Sequence, residues 1–164
     1  LLLPVNPLFI ALSLLAALAF NLLPLGRNPA VPDLLALTLT FWAVHQPRRI
    51  GIGTSFLFGL LMDVHQGALL GQHALAYTLL AFGALAMSRR LNWFTLAQQA
   101  LQVLPLFAAA HSVALLVRLA AGDLFPGWSL FLAPLIEAAL WPLVTLVLLA
   151  PQRRAPDPDE NRPL

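Results

Sequence analysis

The chain has no cysteine, no lysine, a single tyrosine and little charge of either sign. Without cysteine there are no disulfides and no thiolate chemistry, and the compartment stays open. Charged residues make up 10% of the 164 positions, against about 25% in a soluble domain. So little polar surface excludes an ordinary water-solvated globule. Also missing are a glycine-rich phosphate loop, a Gly-x-Ser-x-Gly nucleophile elbow and paired metal-binding histidines at helical spacing. Ser13, Ser55 and Ser112 stand alone in their segments. Ser112 follows His111 directly, and adjacent residues on a helix do not face each other. No nucleophile, base and orienter assemble. An enzyme is therefore disfavoured, and no catalytic, cofactor-binding or metal-ligating residue is assigned.

What is present is apolar. Hydrophobic residues make up 60% of the chain, and the mean hydropathy is +0.82. All nine basic side chains are arginine, and they give a pI near 10.5. With a net charge of only +2 and arginines at loop ends, nucleic-acid binding is a poor explanation. The arginines instead set a rhythm. Arg48–Arg49, Arg89–Arg90 and Arg153–Arg154 fall at every second connection between six apolar segments. Arginine bias on short loops fixes membrane orientation. The pattern predicts an all-α, polytopic inner-membrane protein with six transmembrane helices, the paired arginines and both termini being cytoplasmic.

The first segment covers Leu3–Leu23. The stretch Leu1–Gly26 is uncharged, lacks a basic leader and is too long for the apolar region of a signal peptide. The chain starts at Leu1 rather than Met, so a few preceding residues are expected. Segment two runs Asp33–His45, opened by Pro32 and by a carboxylate suited to the helix dipole. Segment three, Ile50–Asp63, spans only about 21 Å at 1.5 Å per residue. It must be tilted, broken or shielded to cross a core of about 30 Å. Segment four is Ala68–Met87. The stretch Leu91–Gln102 is expected partly at the interface before segment five, Leu101–Ala121. Segment six is Ser129–Leu149. Trp42, Trp93 and Trp128 stand where aromatic belts form, and Trp141 before Pro142 reads as core packing at a kink. Residues 1–150 make one six-helix transmembrane domain. The proline-rich 151–164 cannot bury apolar area and is expected to be a disordered cytoplasmic tail.

Polar residues inside spans are costly and so become candidates. Gly59, Asp63, Gly67 and Gly71 recur at four-residue spacing. On a continuous helix they would form a close-packing stripe. Alternatively, His65-Gln66-Gly67 is a turn with Asp63 as a cap, which the short third segment favours. A structural role and a partner-contact role both remain open. A metal site of Asp63, His65 and His73 has suitable residue types but no recognised spacing. The second candidate is His111, Arg118 and Glu137. These lie about 15, 5 and 12 Å from the outer helix ends, at 1.5 Å per residue. They form either a clamp between adjacent helices or the lining of an internal pocket.

The run Phe58-Gly59-Leu60-Leu61-Met62-Asp63-Val64, with Gly67-Ala68-Leu69-Leu70-Gly71-Gln72-His73-Ala74-Leu75-Ala76-Tyr77 and then Arg89-Arg90-Leu91, closely resembles the MreD family of rod shape-determining membrane proteins. So do the chain's size, its short loops and Gln98-Gln99-Ala100-Leu101-Gln102. The likeness covers most of the chain, and its specific part is 56–102. It implies a non-enzymatic scaffold in the cell-elongation machinery for peptidoglycan, in the bacterial inner membrane. The implied partners are the bitopic MreC, the actin-like MreB, RodA and a class B penicillin-binding protein, with membrane lipid around them. It implies no cofactor. The family is similar in turn to the six-helix substrate-binding subunits of energy-coupling-factor transporters, which suggests an inner cavity. The alternative function is accordingly a small-molecule-binding, transporter-like subunit. The resemblance carries over Gly59, Asp63, Gly67, Gly71 and His73 as a packing or partner-contact motif.

Overall fold

Backbone groups in an apolar solvent must satisfy one another, which leaves helices as the natural solution for this composition. The computed structural model describes residues 6–23, 31–67 and 70–152. Among them are six α-helices: α1 Pro7–Leu22, α2 Leu34–His45, α3 Ile52–Gln66, α4 Gln72–Leu91, α5 Leu96–Ala120 and α6 Leu132–Leu149. Arg27 and the tail from Arg153 onward lie outside the described residues. Pro151 and Gln152, expected to be disordered, instead continue α6 as a 3-10 turn in which Gln152 is buried and donates to the Leu148 carbonyl at 3.2 Å.

Local signals set the helix ends. Asn6 caps α1 by accepting from the Leu8 N–H at 3.0 Å, with Pro7 at the first helical position. Asp33 caps α2 by accepting from the Ala36 N–H at 3.0 Å. Thr95 and Gln98 form a reciprocal capping box at the start of α5. Arg89 and Arg90 occupy the last turn of α4, where positive charge meets the helix dipole.

Several boundaries differ from the sequence reading: α4 runs Gln72–Leu91 rather than Ala68–Met87, and α6 starts at Leu132 after a 3-10 turn over Trp128–Phe131. Helix α3 runs to Gln66, three residues beyond Asp63, so the shortest helix is α2 with 12 residues. At 1.5 Å per residue it is about 18 Å long. Helix α5 starts at Leu96 rather than Leu101, so Gln98 and Gln99 belong to its first turns rather than to a stretch before it. The capping box supplies the reason.

Helix α2 is the hub. It packs against α1, α4 and α6, while α3 packs chiefly on α4, and α4, α5 and α6 pack in sequence. Its ten consecutive residues Leu35–Val44 are all buried. Thr38 and Thr40 keep this helix apolar in effect by donating to the Leu34 and Ala36 carbonyls, both at 2.8 Å. Trp42 is fully buried and donates its indole N–H to Ser13 Oγ at 2.8 Å, so it belongs to the core and not to a belt. Trp141 is also buried, beside Phe41, and donates to Gln99 Oε1 at 3.0 Å. Trp93 and Trp128 project outward, 86% and 79% exposed.

The exterior is apolar. Leu12 and Leu15 on α1, Leu57 and Leu61 on α3, Phe82 on α4, Leu116 on α5 and Leu143 on α6 all lie exposed. Such coverage is foreign to a soluble monomer and suits lipid. The stretches Leu96–Ala120 and Trp128–Gln152, 25 residues each, are long and apolar enough to cross a membrane.

Candidate functional site

Antiparallel order brings the ends of α1, α3 and α5 together with the starts of α2, α4 and α6. The buried acidic side chains gather at this end. Arg48, Arg49, Arg89 and Arg90 lie at the opposite end, after α2 and at the close of α4.

Asp63 occupies the junction of α3 and α4. It is fully buried. Oδ1 accepts from the His73 backbone N–H at 2.7 Å and from His73 Nδ1 at 2.9 Å. Oδ2 accepts from the Gly71 and Ala74 N–H groups at 2.9 and 3.3 Å. Three of these donors are orphan amides at the start of a helix, and the carboxylate meets the positive end of its dipole. Asp63 therefore ties the end of one helix to the beginning of the next.

The glycines around it divide by role. Gly67 at φ 62° and Gly71 at φ 108° adopt the left-handed conformation that ends α3 and opens α4. They are turn glycines, one closing α3 and the other preceding α4. A continuous small-residue stripe through Gly67 and Gly71 is thereby replaced by the turn alternative. Gly59 is different, because a Cβ there would stand 2.6 Å from the Ala74 amide nitrogen and 2.7 Å from the His73 carbonyl carbon. It marks a close approach of α3 to α4 inside the protein.

A second polar group lies under the ends of α1, α2, α4, α5 and α6. Asp33 Oδ1 accepts from Asn21 Nδ2 at 2.6 Å, and Oδ2 accepts from the Tyr77 hydroxyl. The Asp33 backbone N–H donates to Glu137 Oε1 at 2.9 Å. His111 Nε2 donates to the same oxygen at 2.8 Å. Glu137 is fully buried, and its Oε2 has no hydrogen-bond partner among the described residues. A cavity of about 40 Å³ opens here, its polar lining being Asp33, His73, Tyr77, His111 and Glu137. The His73 and Tyr77 rings meet edge to face at 5.8 Å, so the Asp63 junction and the Asp33 cluster adjoin.

Sequence reasoning had grouped His111, Arg118 and Glu137. The first and last of these meet, whereas Arg118 does not join them. Arg118 lies seven residues beyond His111, about 10 Å further along the helix axis. Its Nε lies 3.6 Å from Asp123 Oδ2 at a half-exposed surface. Asp33, Tyr77 and Asn21 were missed as members of the cluster. One signal for Tyr77 was available: the sole tyrosine follows His73 by four residues, on the same helix face. Among the described residues no group of three or more acidic or imidazole side chains is arranged to hold a metal ion. His65 is exposed, away from the pair formed by Asp63 and His73.

Comparison with known proteins places this geometry in context. The family profile described as rod shape-determining protein MreD matches residues 4–150. The rod shape-determining protein MreD of Haemophilus influenzae is 30% identical over 135 residues, which cover 80% of this chain and 81% of that protein. No solved structure matches the chain.

Proposed function

Because the chain belongs to the MreD family of rod shape-determining proteins, we propose that it acts as a non-enzymatic membrane scaffold of cell elongation. In this reading it binds the single transmembrane helix of MreC. Through that contact it positions RodA and a class B penicillin-binding protein, with MreB on the cytoplasmic face. The observation that carries the reading is the family match over 4–150, nearly the whole chain. The apolar exterior supports it, because a helical partner in lipid can approach such a surface without stripping charged groups of water.

The proposed topology is six membrane spans in the inner membrane with both termini cytoplasmic. Its support is the position of Arg48, Arg49, Arg89 and Arg90 at one end of the bundle, which the positive-inside rule assigns to the cytoplasm. The end with Asp33, Asp63 and Glu137 then faces outward. Reporter fusions after residue 90 should read cytoplasm and fusions near Asp123 should read periplasm. Periplasmic activity at residue 90 would overturn the topology. Co-purification in mild detergent should recover MreC stoichiometrically, and the chain should restore rod shape to cells depleted of their own MreD. Failure of both would overturn the scaffold.

A second reading, a small-molecule-binding subunit with a fold akin to energy-coupling-factor substrate-binding subunits, is favoured by the polar-lined cavity. Retention of a discrete small molecule by the purified protein separates it from a scaffold alone.

A further inference from the structure

The cavity beside Glu137 is lined by hydrogen-bond acceptors. Glu137 is fully buried and its Oε2 is unpartnered among the described residues. A buried carboxylate oxygen left without a donor is costly, so the site is shaped to receive one. The Tyr77 hydroxyl gives its only proton to Asp33, which leaves lone pairs on the phenol oxygen. His73 Nδ1 donates to Asp63, so in the neutral ring Nε2 is an acceptor. These three side chains line one cavity. Two carboxylates, Asp33 and Glu137, line it together with His111, and no lysine or arginine is among the described residues that line it.

Size narrows the ligand. Drug-sized ligands occupy sites of about 300–1,000 Å³, whereas this cavity is about 40 Å³. It admits a few heavy atoms, and a sugar ring or a vitamin is too large.

We infer that the cavity binds a primary ammonium group, held by Glu137 Oε2, Tyr77 Oη and His73 Nε2 as acceptors for its three N–H bonds. A quaternary ammonium carries the same charge but no N–H and is bulkier, so the site discriminates against it. The group can arrive on an aminophospholipid headgroup from the bilayer or on a free small amine from the aqueous side. The inference rests on the small-molecule reading of the cavity and is independent of the scaffold reading.

The test uses the purified full chain. Mixed vesicles carry equal phosphatidylethanolamine, phosphatidylcholine and phosphatidylglycerol, and native mass spectrometry reads the lipid retained. In parallel, thermal unfolding is followed with ethanolamine or tetramethylammonium chloride. Phosphatidylethanolamine should be retained about tenfold over the other two lipids, the worth of a hydrogen bond to a charged group. That result with no ethanolamine effect identifies the lipid source. Stabilisation by ethanolamine and not by tetramethylammonium, without lipid preference, identifies a free amine. Glu137→Gln should reduce the discrimination about tenfold. Ala110→Leu, which fills the cavity and keeps every polar group, should abolish it and stands in if the first variant fails to fold. Equal retention of all lipids with no difference between the two amines overturns the inference. So does wild-type discrimination in folded Ala110→Leu. Retention of a molecule without an amine overturns the ammonium while leaving a small-molecule site in place.

Discussion

The α3–α4 junction and the α2–α5–α6 cluster each bury one carboxylate at the same end of the bundle, and their surroundings differ in kind. Asp63 accepts from four donors, three of them backbone amides. Glu137 accepts from two donors on one oxygen and from none on the other. The first arrangement is saturated, and its partners lie within eleven residues along the chain. The second joins elements far apart and keeps acceptor capacity beside a cavity. A saturated buried charge holds architecture together. An under-satisfied one keeps an interaction in reserve.

The comparison is broken or sharpened by substitution. The largest effect is expected for Asp63→Ala, at about 3–5 kcal/mol, because it strips His73 and three amides of their acceptor. Thermal unfolding in detergent and folded yield both read it. Gly59→Leu comes next, at about 1–3 kcal/mol and more if α4 cannot shift, because the new side chain collides with backbone rather than with a flexible side chain. Fluorescence-detected gel filtration should show aggregation, and a monodisperse variant would mean that α3 and α4 separate easily. Tyr77→Phe should cost about 1–2 kcal/mol by leaving Asp33 Oδ2 without its donor. Glu137→Gln should cost less than about 1 kcal/mol, since the amide oxygen still accepts from Asp33 and His111. If it proves as costly as Asp63→Ala, the contrast between the two sites collapses. Arg118→Ala should change stability by about 1 kcal/mol at most, as expected for an exposed ion pair.

Much of this architecture was legible in the residues. The arginine pairs and apolar runs marked out the helices, and Pro32-Asp33 announced the start of α2. A turn with Asp63 as a cap was one of two alternatives; the turn begins only at Gly67, because His65 and Gln66, expected within it, are the last residues of α3. What the sequence concealed was three-dimensional level. Arg118 and His111 are near-neighbours in sequence on one helix, yet Glu137 is level with only one of them. Trp42 looked like an interfacial residue because it sits near the end of its segment, but α2 is surrounded on all sides. Asp33 looked complete as a helix cap. Its second carboxylate oxygen and its amide nevertheless bind Tyr77 and Glu137, on helices whose placement no local pattern reveals. An internal pocket beside His111 and Glu137 was one of two readings, but its place and its other walls could not be read, since it arises where α2, α4, α5 and α6 meet.

Helix α2 also bears on how the chain is made. The Asp33 amide finds its acceptor 104 residues later, on α6. During synthesis α2 is therefore made long before one of its flanking helices exists. At about 18 Å it is too short to span a bilayer core unaided, and its buried side facing α6 has nothing to meet. Until α6 is made, α1 and α4 are the neighbouring helices available to cover α2. Nascent chains arrested before residue 137 should stay bound to the insertion machinery and remain sensitive to membrane proteases, whereas chains released after α6 should be resistant.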